Sequence, residues 1–247
     1  MHLRMAGVRV KIGVVQFPGS NDERDAVWAL EQLGADAELL WHGDADLRGV
    51  DAVVLPGGFS YGDYLRCGAI ARFSPVMGSV RSFANDGGLV LGICNGFQVL
   101  CEAGMLPGAL VRNAGLAFVC APVHVLVEKE SAAFLSRAEI GDVLTIPIKH
   151  GEGRYVADSW ELKRMAERGQ VLLRYCTFDG VVESEANPNG STDNIAGVAN
   201  AEGNVFGLMP HPEHAVDPMA GIRSSDGAVI LGSLFDSVAD LNATVPD

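Results

Sequence analysis

Short apolar runs alternate with amphipathic stretches along the first half of the chain. Four runs rich in β-branched residues predict buried strands, over residues 8–17, 37–41, 52–55 and 89–93. Apolar positions three and four residues apart predict helices over residues 20–33, 65–84 and 95–103, the second interrupted at Pro75. Strands and helices that alternate with short connections are typical of βαβ units and a parallel sheet.

The start of the first predicted helix carries a capping signal. Ser20 and Glu23 have the S-x-x-E spacing of a capping box, in which each side chain accepts a hydrogen bond from the other residue's backbone amide. Gly34 follows the last apolar position and predicts the end of the helix. We therefore expect this helix to begin at Ser20.

The second half of the chain is less regular. It predicts strands over residues 116–127, 143–148, 171–177, 195–200 and 205–209, and helices over 160–168 and 226–241. The fold class indicated is α/β: an open, mostly parallel twisted sheet with helices on both faces and an additional antiparallel portion in the second half. No repeat and no linker-like change in composition interrupts the chain, so we expect a single domain over residues 1–247, with residues 1–6 as a loose tail.

Composition and charge narrow the class of protein. The chain has 18 Lys and Arg residues and 31 Asp and Glu residues, which gives a net charge of −13. This negative charge argues against non-specific binding of nucleic acid or of an anionic membrane. No uncharged apolar run is long enough to predict a membrane span. The 5 cysteines are an odd number without C-x-x-C spacing, which argues against a disulfide framework or a zinc site and fits a reducing, cytoplasmic compartment.

One cysteine lies in a segment typical of a nucleophile. Gly92-Ile93-Cys94-Asn95-Gly96 stands directly between a predicted strand and a predicted helix, the setting of a nucleophile elbow. Glycines two residues to either side allow the sharp turn, and the amides at the start of the helix stabilise a thiolate. On this segment alone, a reactive thiol and a buried structural cysteine are equally good interpretations.

A reactive cysteine needs a base, and His211 lies at the end of a predicted strand. Glu213 follows two positions later, and Pro212 favours an extended backbone in which both side chains point the same way. His211 and Glu213 are therefore a candidate base and its orienting carboxylate. A surface turn is the better interpretation of this segment alone, but together with Cys94 a triad becomes the better one. We expect His214 to point to the other side.

The two segments are similar to the motifs of the class I, triad-type, glutamine amidotransferases. Their nucleophile turn reads G-x-C-x-G-x-Q, here residues 92–98, and their third element reads H-P-E, here residues 211–213. Four longer blocks resemble the branch of that family that serves purine synthesis: FPGSN from residue 17, GGFSYGD from 57, CNGFQ from 94 and HGEGR from 150.

The resemblance implies a mechanism and a set of site residues. Cys94 is expected to attack the side-chain amide of glutamine, while His211 moves the protons and Glu213 orients it. The backbone amides of Gly58 and Asn95 are expected to form the oxyanion hole, and Gln98 corresponds to a position that contacts substrate. No metal-binding or nucleotide-binding motif such as H-E-x-x-H or Walker A is present.

The resemblance also implies partners. Ammonia from glutamine is expected to pass to a separate synthetase subunit, which uses ATP with Mg²⁺ to convert formylglycinamide ribonucleotide to the amidine. A small accessory subunit is a further expected partner, and no cofactor is expected in this chain. As a consequence, we expect the isolated chain to be a poor glutaminase that the synthetase subunit activates.

Three other functions remain open at this point. The chain would also fit a class I glutaminase serving another synthetase, a stand-alone cysteine hydrolase, or a non-catalytic interaction subunit. Two residues depart from the family's wording: Asp22 stands where many relatives have cysteine, and His214 where relatives often have arginine. We expect neither to touch the core chemistry.

Overall fold

The fold is taken from a computed structural model, which describes residues 9–219 and 222–244. The tail expected at residues 1–6 and the first position of the strand predicted over 8–17 lie outside these ranges. Within them, nine strands form one sheet in the order β2-β1-β3-β4-β11-β10-β9-β6-β7, and two short strands form a separate antiparallel pair. The short pair, β5 (Ala109–Val111) and β8 (Arg154–Val156), was not predicted from the sequence.

The first half of the chain builds the parallel part of the sheet. Its strands are β1 (Lys11–Gln16), β2 (Asp36–Trp41), β3 (Ala52–Leu55) and β4 (Leu89–Ile93). β1 pairs in parallel with β2 and β3, and β3 with β4. Every residue of β3 and β4 is buried, as expected of strands covered on both faces. The predicted strands and their parallel arrangement are thus confirmed.

The second half adds the antiparallel part. Its strands are β6 (Val119–Val127), β7 (Val143–His150), β9 (Val171–Cys176), β10 (Ile195–Ala199) and β11 (Val205–Leu208). All pairings from β11 outward to β7 are antiparallel, which confirms the predicted antiparallel portion. β11 itself returns to the middle of the sheet and pairs in parallel with β4, with Leu208 opposite Ile93. The apolar pattern of β11 did not indicate this neighbour.

Five α-helices accompany the strands of the described ranges. They are α1 (Glu23–Gln32), α2 (Pro75–Asn85), α3 (Asn95–Glu102), α4 (Ser159–Arg168) and α5 (Gly227–Thr244). None of these helices combines the length and the apolar character that crossing a membrane requires. α1 packs on β1 and β2 and touches α5, while α3 packs on β3, β4 and β11.

Two helix starts differ from the prediction. The capping box at Ser20 is wrong: Asp22 is the N-cap of α1, and the Ser20 hydroxyl instead accepts a 3.0 Å hydrogen bond from the Phe17 amide within the preceding turn. Pro75 does not interrupt a helix but begins α2, because proline at the first helical position sacrifices no intrahelical bond. Residues 71–73 form only a short 3₁₀ turn.

The close approach of α3 to β3 depends on Gly96. A Cβ atom at this position would lie 2.0 Å from the carbonyl oxygen of Leu55, well inside van der Waals contact. Any larger residue forces the helix away from the strand, and the turn at Cys94 moves with it. The second glycine of the motif is therefore required by packing as well as by the turn.

We expect Gly96→Ala to destabilise the protein by about 1 to 3 kcal/mol, because the added methyl group meets backbone that cannot yield. Gly78→Ala is the matched control: Gly78 lies in α2, and beyond the helix's own backbone a Cβ atom there would meet open space, so alanine should stabilise the protein by about 0.5 to 1 kcal/mol. Urea unfolding measures both free energies. A Gly96→Ala protein as stable as the wild type would contradict the packing argument.

Candidate active site

Cys94 occupies the turn between β4 and α3. Its backbone is strained, with φ 50° and ψ −102°, and its side chain is buried. The Cys94 amide donates a 2.8 Å hydrogen bond to the carbonyl oxygen of Leu208, the last residue of β11. The strained turn is thus anchored to the neighbouring strand, directly before the segment that carries His211.

His211 and Glu213 face each other across a tight turn. His211 Nδ1 lies 2.6 Å from Glu213 Oε1, and both side chains are almost fully buried. The extended backbone predicted here is wrong, because residues 212–214 form a 3₁₀ turn. The turn brings the two side chains together all the same. The His211 amide is fixed by a 2.8 Å hydrogen bond to the carbonyl oxygen of Pro147 in β7.

His211 is held in its protonated form by its surroundings. Burial lowers its pKa, but the charges of Glu213 and of a Cys94 thiolate raise it more, to about 10. A protonated imidazole beside a cysteine favours the thiolate form that acts as a nucleophile. His211 Nε2 is buried and bonds no nitrogen or oxygen atom of residues 9–219 and 222–244, while Cys94 lies close enough to the ring to raise its pKa. Nε2 is therefore available for proton transfer.

Asp22 and His214 contact this pair, which corrects the expectation that they lie outside the core chemistry. Asp22 Oδ2 lies 3.7 Å from His211 Nδ1, and Asp22 Oδ1 lies 3.4 Å from His214 Nε2. His214 does not point to the other side: its Nε2 is also 3.7 Å from Glu213 Oε1. The 3₁₀ turn causes this, because it brings the rings of His211 and His214 within 5.5 Å of each other.

Lys149 completes the charge network from β7. Its ammonium group forms a salt bridge with Asp22, which is itself almost fully buried. Burial raises the pKa of Asp22, but the hydrogen bond with His214 and the positive charges of His211 and Lys149 hold it well below its usual range. Burial lowers the pKa of Lys149, and Asp22, Glu213 and Cys94 raise it above its ordinary value.

The spacing of this cluster would also suit a metal ion. Ligand atoms of Asp22, His211, Glu213 and His214 lie within 4.8 Å of one another. However, the His211 and Glu213 atoms already bond each other, and the Lys149 ammonium group supplies a positive charge at Asp22. We therefore interpret the cluster as an ion network.

A cavity of about 320 Å³ opens beside Cys94. Its lining mixes glycine backbone, aromatic rings and charged side chains: Gly58, Phe59, Asp63, Cys67, Cys94, Gln98, Arg112, Leu116, Ala117, Phe118, Lys149, His150, Gly151 and Glu152. Such a space, partly polar and partly apolar and open at one side, is suited to a small molecule.

The two amides expected to form an oxyanion hole lie on the two sides of Cys94's turn, in the loop after β3 and at the start of α3. Gly58 lines the cavity together with Cys94. Ser20 and Gly58 form an isolated antiparallel β-bridge, in which the amide of Asn21 donates to Gly57 and the amide of Phe59 donates to Gly19. The amide of Gly58 takes no part in this bridge. Asn95 is the first residue of α3, so its amide has no acceptor within the helix.

Gln98 lies in the cavity wall, and its amide group is already engaged. Its Nε2 donates a 2.6 Å hydrogen bond to the carbonyl oxygen of Glu152, and its Oε1 accepts one of 2.8 Å from Asn95 Nδ2. The side chain therefore ties α3 to the loop after β7. A direct contact of Gln98 with substrate would require one of these bonds to be exchanged.

Four charged residues of the site were missed as candidates from the sequence: Asp22, Asp63, Arg112 and Lys149. None of them lies in a spacing pattern with Cys94, because separate segments bring them to the same rim. Glu152 was quoted only within the HGEGR block, and its Oε1 lies 3.7 Å from Arg112 Nη2. A sequence signal of this kind also existed for Asp63, which ends the GGFSYGD block.

Cys67 also lines the cavity. Its thiol donates a 3.2 Å hydrogen bond to Glu152 Oε2. Burial, followed by the charges and hydrogen bonds of Asp63 and Glu152, raises the pKa of Cys67 far above its ordinary value. Cys67 is therefore a neutral thiol, which distinguishes it from a nucleophile.

Comparison with known proteins finds a matching family and similar chains. Residues 9–230 match the family described as the CobB/CobQ-like glutamine amidotransferase domain. The phosphoribosylformylglycinamidine synthase subunit PurQ of Salinibacter ruber is 55% identical over 230 residues, covering 93% of this chain and 97% of that protein. The PurQ subunit of Rubrobacter xylanophilus is 55% identical over 226 residues, covering 92% of this chain and 98% of its own length.

A solved structure shows the same similarity. A chain in the structure of PurLQS from Thermotoga maritima superposes with a TM-score of 0.80 at 41% identity, covering 93% of this chain and 99% of that one. Identity at this level over nearly the whole length of both chains shows more than a shared fold. The chain therefore belongs to the glutamine amidotransferase family, and within it to the phosphoribosylformylglycinamidine synthase subunit PurQ group.

Proposed function

We propose that this chain is the glutaminase subunit of a phosphoribosylformylglycinamidine synthase. It hydrolyses glutamine to glutamate and passes the ammonia to a synthetase subunit that converts formylglycinamide ribonucleotide to the amidine in purine synthesis. The observation that carries the proposal is the meeting of Cys94 and the His211–Glu213 pair at the ends of the adjacent parallel strands β4 and β11, beside a cavity. Membership of the PurQ group supports the choice of pathway.

In the proposed reaction, the Cys94 thiolate attacks the side-chain amide carbon of glutamine. The amides of Gly58 and Asn95 stabilise the resulting oxyanion, and each such donor is worth about 3 to 4 kcal/mol in known hydrolases. Protonated His211 gives its proton to the departing nitrogen as the carbon–nitrogen bond breaks. His211 then takes a proton from the water that cleaves the thioester, and Glu213 keeps the ring oriented.

The charged lining of the cavity supports an amino acid as substrate. The Arg112 side chain lies at the cavity and remains largely exposed, so it can bind the α-carboxylate. Asp63 and Glu152 offer carboxylates to the α-ammonium group. Burial raises the pKa of Asp63, the Cys67 hydrogen bond lowers it, and the Glu152 charge raises it again. Binding of the substrate ammonium would relieve this repulsion between the two carboxylates.

We propose that the partners and the compartment follow from the same assignment. The Thermotoga maritima relative occurs in a structure named PurLQS. By analogy this chain would assemble with a synthetase subunit that uses ATP and Mg²⁺ and with a small accessory subunit. The glutaminase reaction itself requires no cofactor in this chain. Five free cysteines support a cytoplasmic location.

We expect Cys94→Ala to abolish glutamate formation, because alanine offers no nucleophile. Wild-type activity should rise when the synthetase subunit is added. Glutamate released from glutamine is measured with and without that subunit, and Cys120→Ala serves as control because Cys120 is free, exposed and outside the cavity lining. If Cys94→Ala still released glutamate, or if neither protein did so in the complex, the proposed function would be wrong.

Arg112→Ala should raise KM for glutamine about 10-fold, the cost of one charge-assisted hydrogen bond, and change kcat by less than about twofold. The reason is that the α-carboxylate is held equally in the ground state and the transition state. Arg168→Ala, which removes an exposed arginine of α4, is the control. A fall in kcat at unchanged KM would contradict this role for Arg112.

A further inference from the structure

Asp22 stands at a helix cap but does not act as one. Aspartate at an N-cap ordinarily accepts a hydrogen bond from an amide in the first turn of the helix. Asp22 is the N-cap of α1, yet its side chain makes no such bond. The side chain is 4% exposed, so its charge is removed from solvent without serving the helix. Local structure therefore does not account for this residue.

Both carboxylate oxygens of Asp22 point to the candidate site instead. One oxygen bonds the Lys149 ammonium group and lies 3.4 Å from His214 Nε2. The other lies 3.7 Å from His211 Nδ1, on the side of the ring that also meets Glu213. At 3.7 Å it forms no hydrogen bond with His211, so it acts on the imidazole through its charge.

The backbone next to the cluster is shaped around this contact. A Cβ atom at Gly57 would lie 2.4 Å from Asp22 Oδ2 and 2.6 Å from His211 Cε1. The amide of Asp22 donates to the carbonyl oxygen of the same Gly57, at 3.3 Å. The loop after β3 therefore leaves room for Asp22 and His211 side by side, where any other residue would separate them.

Lys149 connects Asp22 to the sulfur. The backbone carbonyl oxygen of Lys149 lies 3.9 Å from Cys94 Sγ. Its ammonium group is attracted by Cys94 and Glu213 as well as by Asp22. The Asp22–Lys149 pair thus presents its negative end to the imidazole and its positive end toward the thiolate and Glu213.

We propose that Asp22 is a positioning residue of the site. With Lys149 it forms a polarised pair that stabilises the separated charges of the Cys94 thiolate and the His211 imidazolium, and keeps the ring oriented toward the sulfur. A role for Asp22 in the glutamine reaction rests on the proposed function. The charge state of Cys94 and His211, however, can be measured without glutamine.

The charged groups around His211 determine in which direction its pKa moves when the Asp22 charge is removed. Glu213 and His214 face it from its own turn, Cys94 from the turn after β4, Asp22 from the start of α1, and Lys149 and His150 from β7. Burial, followed by the charge of His211, lowers the pKa of His150 to about 4, so His150 is neutral near pH 7. Removing the Asp22 charge takes away a negative neighbour and should lower the pKa of His211.

The test is alkylation of Cys94 by iodoacetamide across pH in the full-length chain. The rate is followed by mass spectrometry on the peptide that contains Cys94, with Cys94→Ala as the blank. Alkylation depends on the thiolate and changes again where the imidazolium partner loses its proton. In Asp22→Asn, this second transition should move to lower pH by about 1 to 2 units.

Glu31→Gln is the matched control, since it removes an exposed carboxylate from the same helix and should leave the transition in place. Thermal unfolding of each variant checks the fold. The proposal is overturned if Asp22→Asn is folded and its transition coincides with that of the wild type. It is also overturned if Glu31→Gln moves the transition equally.

A second variant keeps the test decisive if Asp22→Asn does not fold. Lys149→Gln retains a donor for Asp22 and removes only the positive charge. It should slow alkylation at pH 7 about 10-fold and move the His211 transition to higher pH, because the Asp22 charge is then uncompensated. A purely structural role predicts no such upward shift, and its absence would contradict the proposal.

Hydrolysis of glutamine separates this inference from the proposed function. If alkylation shifts as expected but no complex of the chain releases glutamate, the Asp22 assignment stands and the proposed function fails. If glutamate is released and the Asp22→Asn transition does not move, the proposed function stands and the Asp22 assignment fails. With both correct, kcat/KM for glutamine in Asp22→Asn should fall more above about pH 8 than near pH 6.

Discussion

The parallel pairing of β4 with β11 is the contact on which the candidate site depends. The two strands come from distant parts of the chain, and their register sets Leu208 opposite Ile93. Since parallel strands end at the same edge of a sheet, the turn at Cys94 and the segment at His211 begin side by side. The hydrogen bond from the Cys94 amide to the Leu208 carbonyl oxygen extends this pairing into the turn itself.

The surrounding packing maintains a strained conformation at Cys94. A positive φ at a non-glycine residue costs free energy and persists only where the surroundings determine it. Here the strand before the turn is wholly buried, and the helix after it lies against β3 with no room for a side chain at Gly96. The strain is therefore balanced by burial of β4 and α3, and the thiol remains at the edge of the cavity.

Buried charges are the second constraint on the site. Removing a carboxylate from water is costly unless it is paired, and Glu213 and Asp22 are both almost fully buried. His211, His214 and Lys149 supply the compensating positive charge within a few ångströms. Glu213, together with Cys94, also raises the pKa of His211 to about 10, so the pairing that makes burial of Glu213 tolerable also prepares the proton for transfer. Stability and chemistry are coupled here through one ion network.

The amino-acid sequence by itself determined the order and type of most elements, because runs such as Ala52–Leu55 and Leu89–Ile93 are local patterns. It also indicated Cys94, whose setting between strand and helix is contained in a few neighbouring residues. His211 and Glu213 were indicated by adjacency, although their contact arises from a 3₁₀ turn and not from an extended segment.

Only the tertiary structure decided the rest. The placement of β11 beside β4, and the meeting of Asp22, Lys149 and Arg112 at one rim, join segments that no local period connects. Asp22 occupies the N-cap position of α1 without bonding the helix, and its charge faces a histidine from the far end of the chain. Local propensity depends on the residues adjacent in sequence, whereas burial and charge interactions depend on the residues adjacent in space, which only the tertiary structure determines.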